Sequence, residues 1–81
     1  MKKDLIIRNL ENIFIRNFRI KRNKISLTSL GSFYKWDSLI HIKLMMEIEK
    51  KFNISINNSA RVSLISFEKL KNYLIKTLIK S

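Results

Sequence analysis

A chain of 81 residues has room for one small domain, and at this size only about 60% of the unfolded surface is buried on folding, so the core is modest. Cysteine is absent, which excludes a disulfide framework and a thiolate metal site, and one histidine with six carboxylates supplies a metal cluster or catalytic triad poorly. Seventeen Lys and Arg leave a formal net charge of +11, which points to an acidic partner or, with Ile, Asn and Lys filling more than a third of the chain, simply to a coding sequence poor in G and C.

The apolar run Leu5-Ile6-Ile7 stops at Arg8, too short for a signal-peptide core. No later run reaches the ~20 apolar residues that a membrane helix needs. A soluble, cytoplasmic, monomeric protein is the expectation. Ile6, Leu10, Ile13, Phe14 and Phe18 recur at helical spacing and predict a first helix from Asp4 to about Phe18.

Residues 19–36 lose that period. Ser26, Thr28, Ser29, Gly31 and Ser32 predict a long loop with Ile25, Leu27 and Leu30 as buried anchors, and a loop this long tends to be functional. The run from Arg16 to Lys24 is the densest basic stretch.

Asp37 or Ser38 sits where an N-cap belongs, ahead of Leu39, Ile42, Met46 and Phe52, so a second helix should start beside Ser38 and end near Lys51. Lys50 and Lys51 suit the negative end of its dipole. Leu39, Ile42, Leu44, Ile48, Phe52, Ile54 and Ile56 read as packing residues, with one of the adjacent Met45 and Met46 in the core and the other free to meet a partner. The stretch Phe52–Ile56 alternates like a strand but has no partner strand and reads as an extended connector. Residues 59–64 suit one short helical turn. Ser66 can cap a last helix over residues 67–80, with Leu70, Tyr73, Leu74, Thr77 and Leu78 inward. The sum is an all-α four-helix bundle, three helices long and one short, in a single domain over residues 1–81.

Trp36-Asp37-Ser38-Leu39 is the most informative stretch. A hydrolytic serine would need a base and an oxyanion hole, yet the sole histidine, His41, is one helical turn on and no Gly-x-Ser-x-Gly surrounds Ser38. A phosphate ester fits better, because a helix N-terminus favours negative charge. Read from the residues alone, Asp37 and Ser38 cap the helix, Trp36 is a half-buried loop anchor and His41 an ordinary surface histidine.

The run from Trp36 to Ile56, with Asp-Ser-Leu, aliphatic residues at helical spacing, and Glu49 followed by Phe52-x-Ile54-x-Ile56, resembles the acyl carrier protein family. Leu64-Ile65-Ser66-Phe67 through Leu70 and Tyr73-Leu74 resembles that family's last helix, and the likeness spans roughly residues 36–76, with helix one similar only in length and pattern. The resemblance implies an acyl-carrier-like bundle in which Ser38 is esterified by 4′-phosphopantetheine, with Asp37 and Leu39 beside it. It implies a carrier and not an enzyme, one that holds an acyl or aminoacyl thioester in lipid or secondary-metabolite biosynthesis. The implied partners are a phosphopantetheinyl transferase, an acyl- or aminoacyl-activating ligase, and a downstream acyltransferase or synthase.

Asp37 would assist the transferase or its Mg²⁺. Trp36, His41, Ile42, Lys43 and Met45 would flank the arm or dock partners. Ile40, Lys43 and Lys50-Lys51 stand where that family is usually acidic, which argues against a housekeeping fatty-acid role and for a stand-alone carrier in a specialised pathway. No metal site is expected. The competing reading is a basic helical nucleic-acid-binding module, although the cations form no single stripe and no specific nucleic acid is implied. A third reading is a membrane-surface protein that sets helix one and the basic loop against anionic lipid, and such weak contact is compatible with a carrier role where the pathway's enzymes are membrane-bound.

Overall fold

The computed structural model describes residues 2–79. The expected apolar period of the N-terminal segment folds as α1 (Lys3–Phe18), which turns Ile6, Leu10, Ile13, Phe14 and Phe18 inward. It stops where Arg19 enters the left-handed region at φ 51°, its N–H donating to the Ile15 carbonyl.

The following segment contains a six-residue 3-10 helix, Arg22–Leu27, where an irregular loop was expected. Of the three anticipated anchors, Ile25 is buried and Leu30 half-buried, but Leu27 is 75% exposed. In a 3-10 turn only every third side chain shares a face, so Ile25 and Leu27 cannot both point inward. The loop is nevertheless fixed. The buried Thr28 donates its hydroxyl to the Ile25 carbonyl at 2.7 Å, and the Leu30 N–H reaches the Ile65 carbonyl at 2.8 Å. At its start Arg22 pairs with Glu11, and at its end the Lys35 ammonium donates to the last carbonyl of α1, Phe18, at 3.0 Å.

Two further helices follow, α2 (Ser38–Phe52) and the short α3 (Asn58–Ser63). Between them Asn53 takes a left-handed conformation, and residues 54–57 run without secondary structure, as the unpaired connector requires. Ser66 caps α4 (Phe67–Leu78), its hydroxyl accepting from the Lys69 N–H at 3.1 Å. The helix stops short of the expected end, and Lys80 lies outside the described residues. Leu70 and Leu74 are buried, whereas Tyr73, Thr77 and Leu78 are half-buried. The chain is all-helical, and among the described residues strand pairing is limited to isolated bridges such as Ser29 with Ser66.

Phe14 of α1 is the centre of the core. Its ring meets Phe18, Trp36 and Phe67 edge-on at 5.5, 5.3 and 5.1 Å. Such pairs add about 0.5–1.5 kcal/mol each beyond the area they bury. They join α1, Trp36 just ahead of the α2 cap, and the start of α4 in one cluster with Leu44, Met45, Ile48 and Phe52. No helix among the described residues is long and apolar enough to cross a membrane.

Candidate functional site

The site begins with the start of α2. Asp37 holds extended backbone and its Oδ1 accepts the Ile40 N–H at 2.9 Å, so Asp37 is the N-cap and Ser38 is the first helical residue. The Ser38 and Leu39 side chains project from that first turn and are exposed. The two backbone donors just ahead of Ile40 belong to Ser38 and Leu39, at the end of the helix where the dipole is positive.

Two residues bracket this turn from opposite sides in sequence. Trp36 is fully buried, at 1% exposure, and is not the half-buried anchor expected. Its indole N–H donates to Nδ1 of His41 at 3.0 Å, with the rings stacked 5.8 Å apart. Because an indole nitrogen only donates, Nδ1 must be the acceptor, which leaves the His41 proton on Nε2. That Nε2 lies 2.8 Å from the Arg61 carbonyl and donates to it. His41 is therefore a structural clamp between the loop, α2 and α3, in place of an ordinary surface histidine.

The clamp continues through Arg61. Its guanidinium donates to Glu49 Oε1 at 2.9 Å, while Oε2 of the same carboxylate accepts the Ile56 N–H at 2.8 Å. Glu49 thereby fixes the connector and α3 to the last turns of α2. On the other side of α2, Glu47 pairs with Arg16 and accepts from Asn17 of α1 at 2.9 Å. The turn carrying Ser38 thus stands on a helix tied to α1 and α3 by side-chain bonds.

This geometry divides the residues singled out from the sequence. Asp37, Ser38, Leu39, Ile42 and Lys43 are exposed together along the first two turns of α2. Trp36 and Met45 are corrections: both are enclosed in the core, so neither side chain faces a partner. His41 uses both ring nitrogens internally. Leu39 and Ile42, expected to pack, are 75% and 56% exposed, and Met46 is the exposed member of the methionine pair. With a period of 3.6, Leu44, Met45, Ile48 and Phe52 claim the inward face, and Leu39, Ile42 and Met46 lie on the opposite side.

Compared with family models, curated proteins and solved structures, the chain matches none. Sequence reasoning missed the Trp36–His41 bond, although a signal for it exists. With Asp37 as N-cap, these two residues occupy the positions before the cap and four residues into the helix, where a hydrophobic staple forms. Among the described residues, no group of three or more His, Asp or Glu side chains is arranged to hold a metal.

Proposed function

We propose that the chain is an acyl carrier protein, with Ser38 the attachment point of a 4′-phosphopantetheine arm. The observation that carries this reading is an exposed serine on the first turn of α2, within Asp-Ser-Leu, on a turn clamped by Asp37 and by Trp36 with His41. The residues fit such a group. A phosphodiester on the Ser38 hydroxyl would leave the surface without displacing a core side chain, and its charge would lie at the positive end of the α2 dipole. When bound, the arm supplies a terminal thiol that holds an acyl or aminoacyl group as a thioester.

Three long helices, one short helix and a long first segment agree with the acyl-carrier-like bundle implied by the resemblance. Leu39, Ile42 and Met46 form an apolar stripe leading away from Ser38, flanked by the exposed Lys43 and Lys50. In this reading they meet the phosphopantetheinyl transferase, the loading ligase and the downstream acyltransferase or synthase. Those enzymes would offer an apolar hollow edged by carboxylates, because basic residues flank this stripe. The chemistry belongs to the partners, and the carrier itself catalyses no step.

The test is intact mass after incubation with coenzyme A, Mg²⁺ and a broad-specificity transferase, with Ser38→Ala in parallel. The expected outcome is a gain of one phosphopantetheine group on the wild type only. Failure with several transferases of different specificity sinks the carrier reading. Nanomolar, salt-sensitive DNA binding in its place would favour the basic helical nucleic-acid module.

A further inference from the structure

From Arg19 to Trp36 the chain carries five cations, Arg19, Lys21, Arg22, Lys24 and Lys35, and no carboxylate, the first acid after α1 being the α2 cap Asp37. Arg22 is matched by Glu11 of α1, and no ion pair among the described residues engages the other four. The same segment bears two large apolar side chains turned outward, Leu27 and Tyr34, the latter 82% exposed. They belong to one continuous surface. Ile20, Leu27, Thr28 and Phe33 wall an open groove of about 340 Å³ that Lys24 completes. The Phe33 ring continues to Tyr34 at 5.6 Å, and the Lys35 ammonium lies 5.6 Å from the Tyr34 ring centre. Ile25 in the core and the Leu30–Ile65 hydrogen bond hold the segment in place, so Leu27 and Tyr34 are exposed on an anchored scaffold.

We propose that this segment is a docking surface for an anionic lipid bilayer. Leu27 and Tyr34 enter the boundary between headgroups and acyl chains, and Arg19, Lys21, Lys24 and Lys35 meet the lipid phosphates and carboxylates. Charge complementarity selects an anionic partner, since a stretch with cations and no acid is drawn to a negative surface. The outward leucine beside an apolar groove selects one with hydrocarbon to offer, which a bilayer has and a phosphate backbone lacks. Tyrosine suits such a boundary because its ring is apolar and its hydroxyl stays wet. The surface does not involve Ser38 and stands whether or not the chain is a carrier.

The test is co-sedimentation of the full chain with phosphatidylcholine vesicles, with and without phosphatidylserine, at low and raised salt. Binding is expected only with phosphatidylserine and is expected to weaken as salt rises. The double variant Leu27→Ser/Tyr34→Ser should lower that binding by about tenfold, for the loss of two buried apolar groups, with its helical circular dichroism unchanged. Val62→Ser removes an equally exposed apolar residue of α3 and should leave binding as it was. Undiminished binding of the double variant would reduce the effect to bare charge attraction and overturn the proposal. So would absence of binding to phosphatidylserine vesicles, or equal sensitivity to Val62→Ser. DNA binding tighter than vesicle binding and indifferent to Leu27 and Tyr34 would transfer the segment to nucleic acid and overturn it as well.

Discussion

The indole N–H of Trp36 meets Nδ1 of His41 at 3.0 Å, closing a bond across Asp37 and Ser38. The tryptophan is buried, so the bond removes the cost of an unpaired donor inside the core. His41→Ala orphans that donor and the Arg61 carbonyl and should cost about 1–3 kcal/mol in urea unfolding. Trp36→Phe removes the donor itself. The double variant should therefore lose less than the two single losses added together, and strict additivity would show the bond to be energetically idle.

Asp37 offers a way to separate a cap from a recognition element. Asn caps as well as Asp, so Asp37→Asn should keep wild-type stability, whereas Asp37→Ala should lose about 1 kcal/mol. If Ser38 is a modification site that needs the neighbouring carboxylate, Asp37→Asn will slow phosphopantetheine transfer while thermal unfolding stays unchanged. Equal transfer rates for Asn and wild type would leave Asp37 the capping role alone.

The two faces of α2 should answer substitution in opposite ways. Leu39→Ser and Ile42→Ser touch exposed side chains and should shift stability by no more than about 0.5 kcal/mol. Leu44→Ala and Met45→Ala empty core positions and should cost about 2–5 kcal/mol each. Under the carrier reading, the first pair raises the KM of the modifying transferase with little change in unfolding, a split that denaturation and kinetics together resolve.

Backbone conformation supplies a third contrast. Arg19 pays a left-handed penalty at φ 51°, so Arg19→Gly should stabilise the chain by about 0.5–1 kcal/mol. Gly31 lies at φ +87° with nothing within 4 Å of an added Cβ. Gly31→Ala should therefore destabilise by about 1 kcal/mol through conformation alone, with no steric contribution. Thermal unfolding of the two variants, shifted in opposite directions, checks both.

α2 and α4 were legible because each combines an apolar period with a recognisable start, and α1 through its apolar period alone, since Lys2 at its N-cap makes no side-chain cap. Ser66 before Phe67, and Asp37 before Ser38, are side chains whose oxygen can accept a free N–H of the first turn. The 3-10 helix was not legible: Lys21, at its N-cap, makes no side-chain cap, and Ile25 alone is buried within it. For α2, the sequence showed many apolar residues on one helix without saying how many the core would accept. Leu39 and Ile42 were consequently read as packing, yet Leu44, Met45, Ile48 and Phe52 already fill the inward face. His41 looked ordinary because its partners, Trp36 and the Arg61 carbonyl, lie five residues before it and twenty after it, and only the second contact required the fold.

Each of the four glutamates turns to one of the chain's own cations: Glu11 to Arg22, Glu47 to Arg16, Glu49 to Arg61 and Glu68 to Lys71. Two copies approaching one another consequently present mostly positive charge, and the excess keeps them apart as like-charged colloids. That repulsion reaches only about 8 Å at physiological ionic strength and less in stronger salt. Concentrated salt therefore brings the outward Leu27, Leu39 and Met46 of neighbouring molecules within touching range. Dispersal in dilute buffer and clumping in concentrated salt are two ends of a single balance, set by where the carboxylates point.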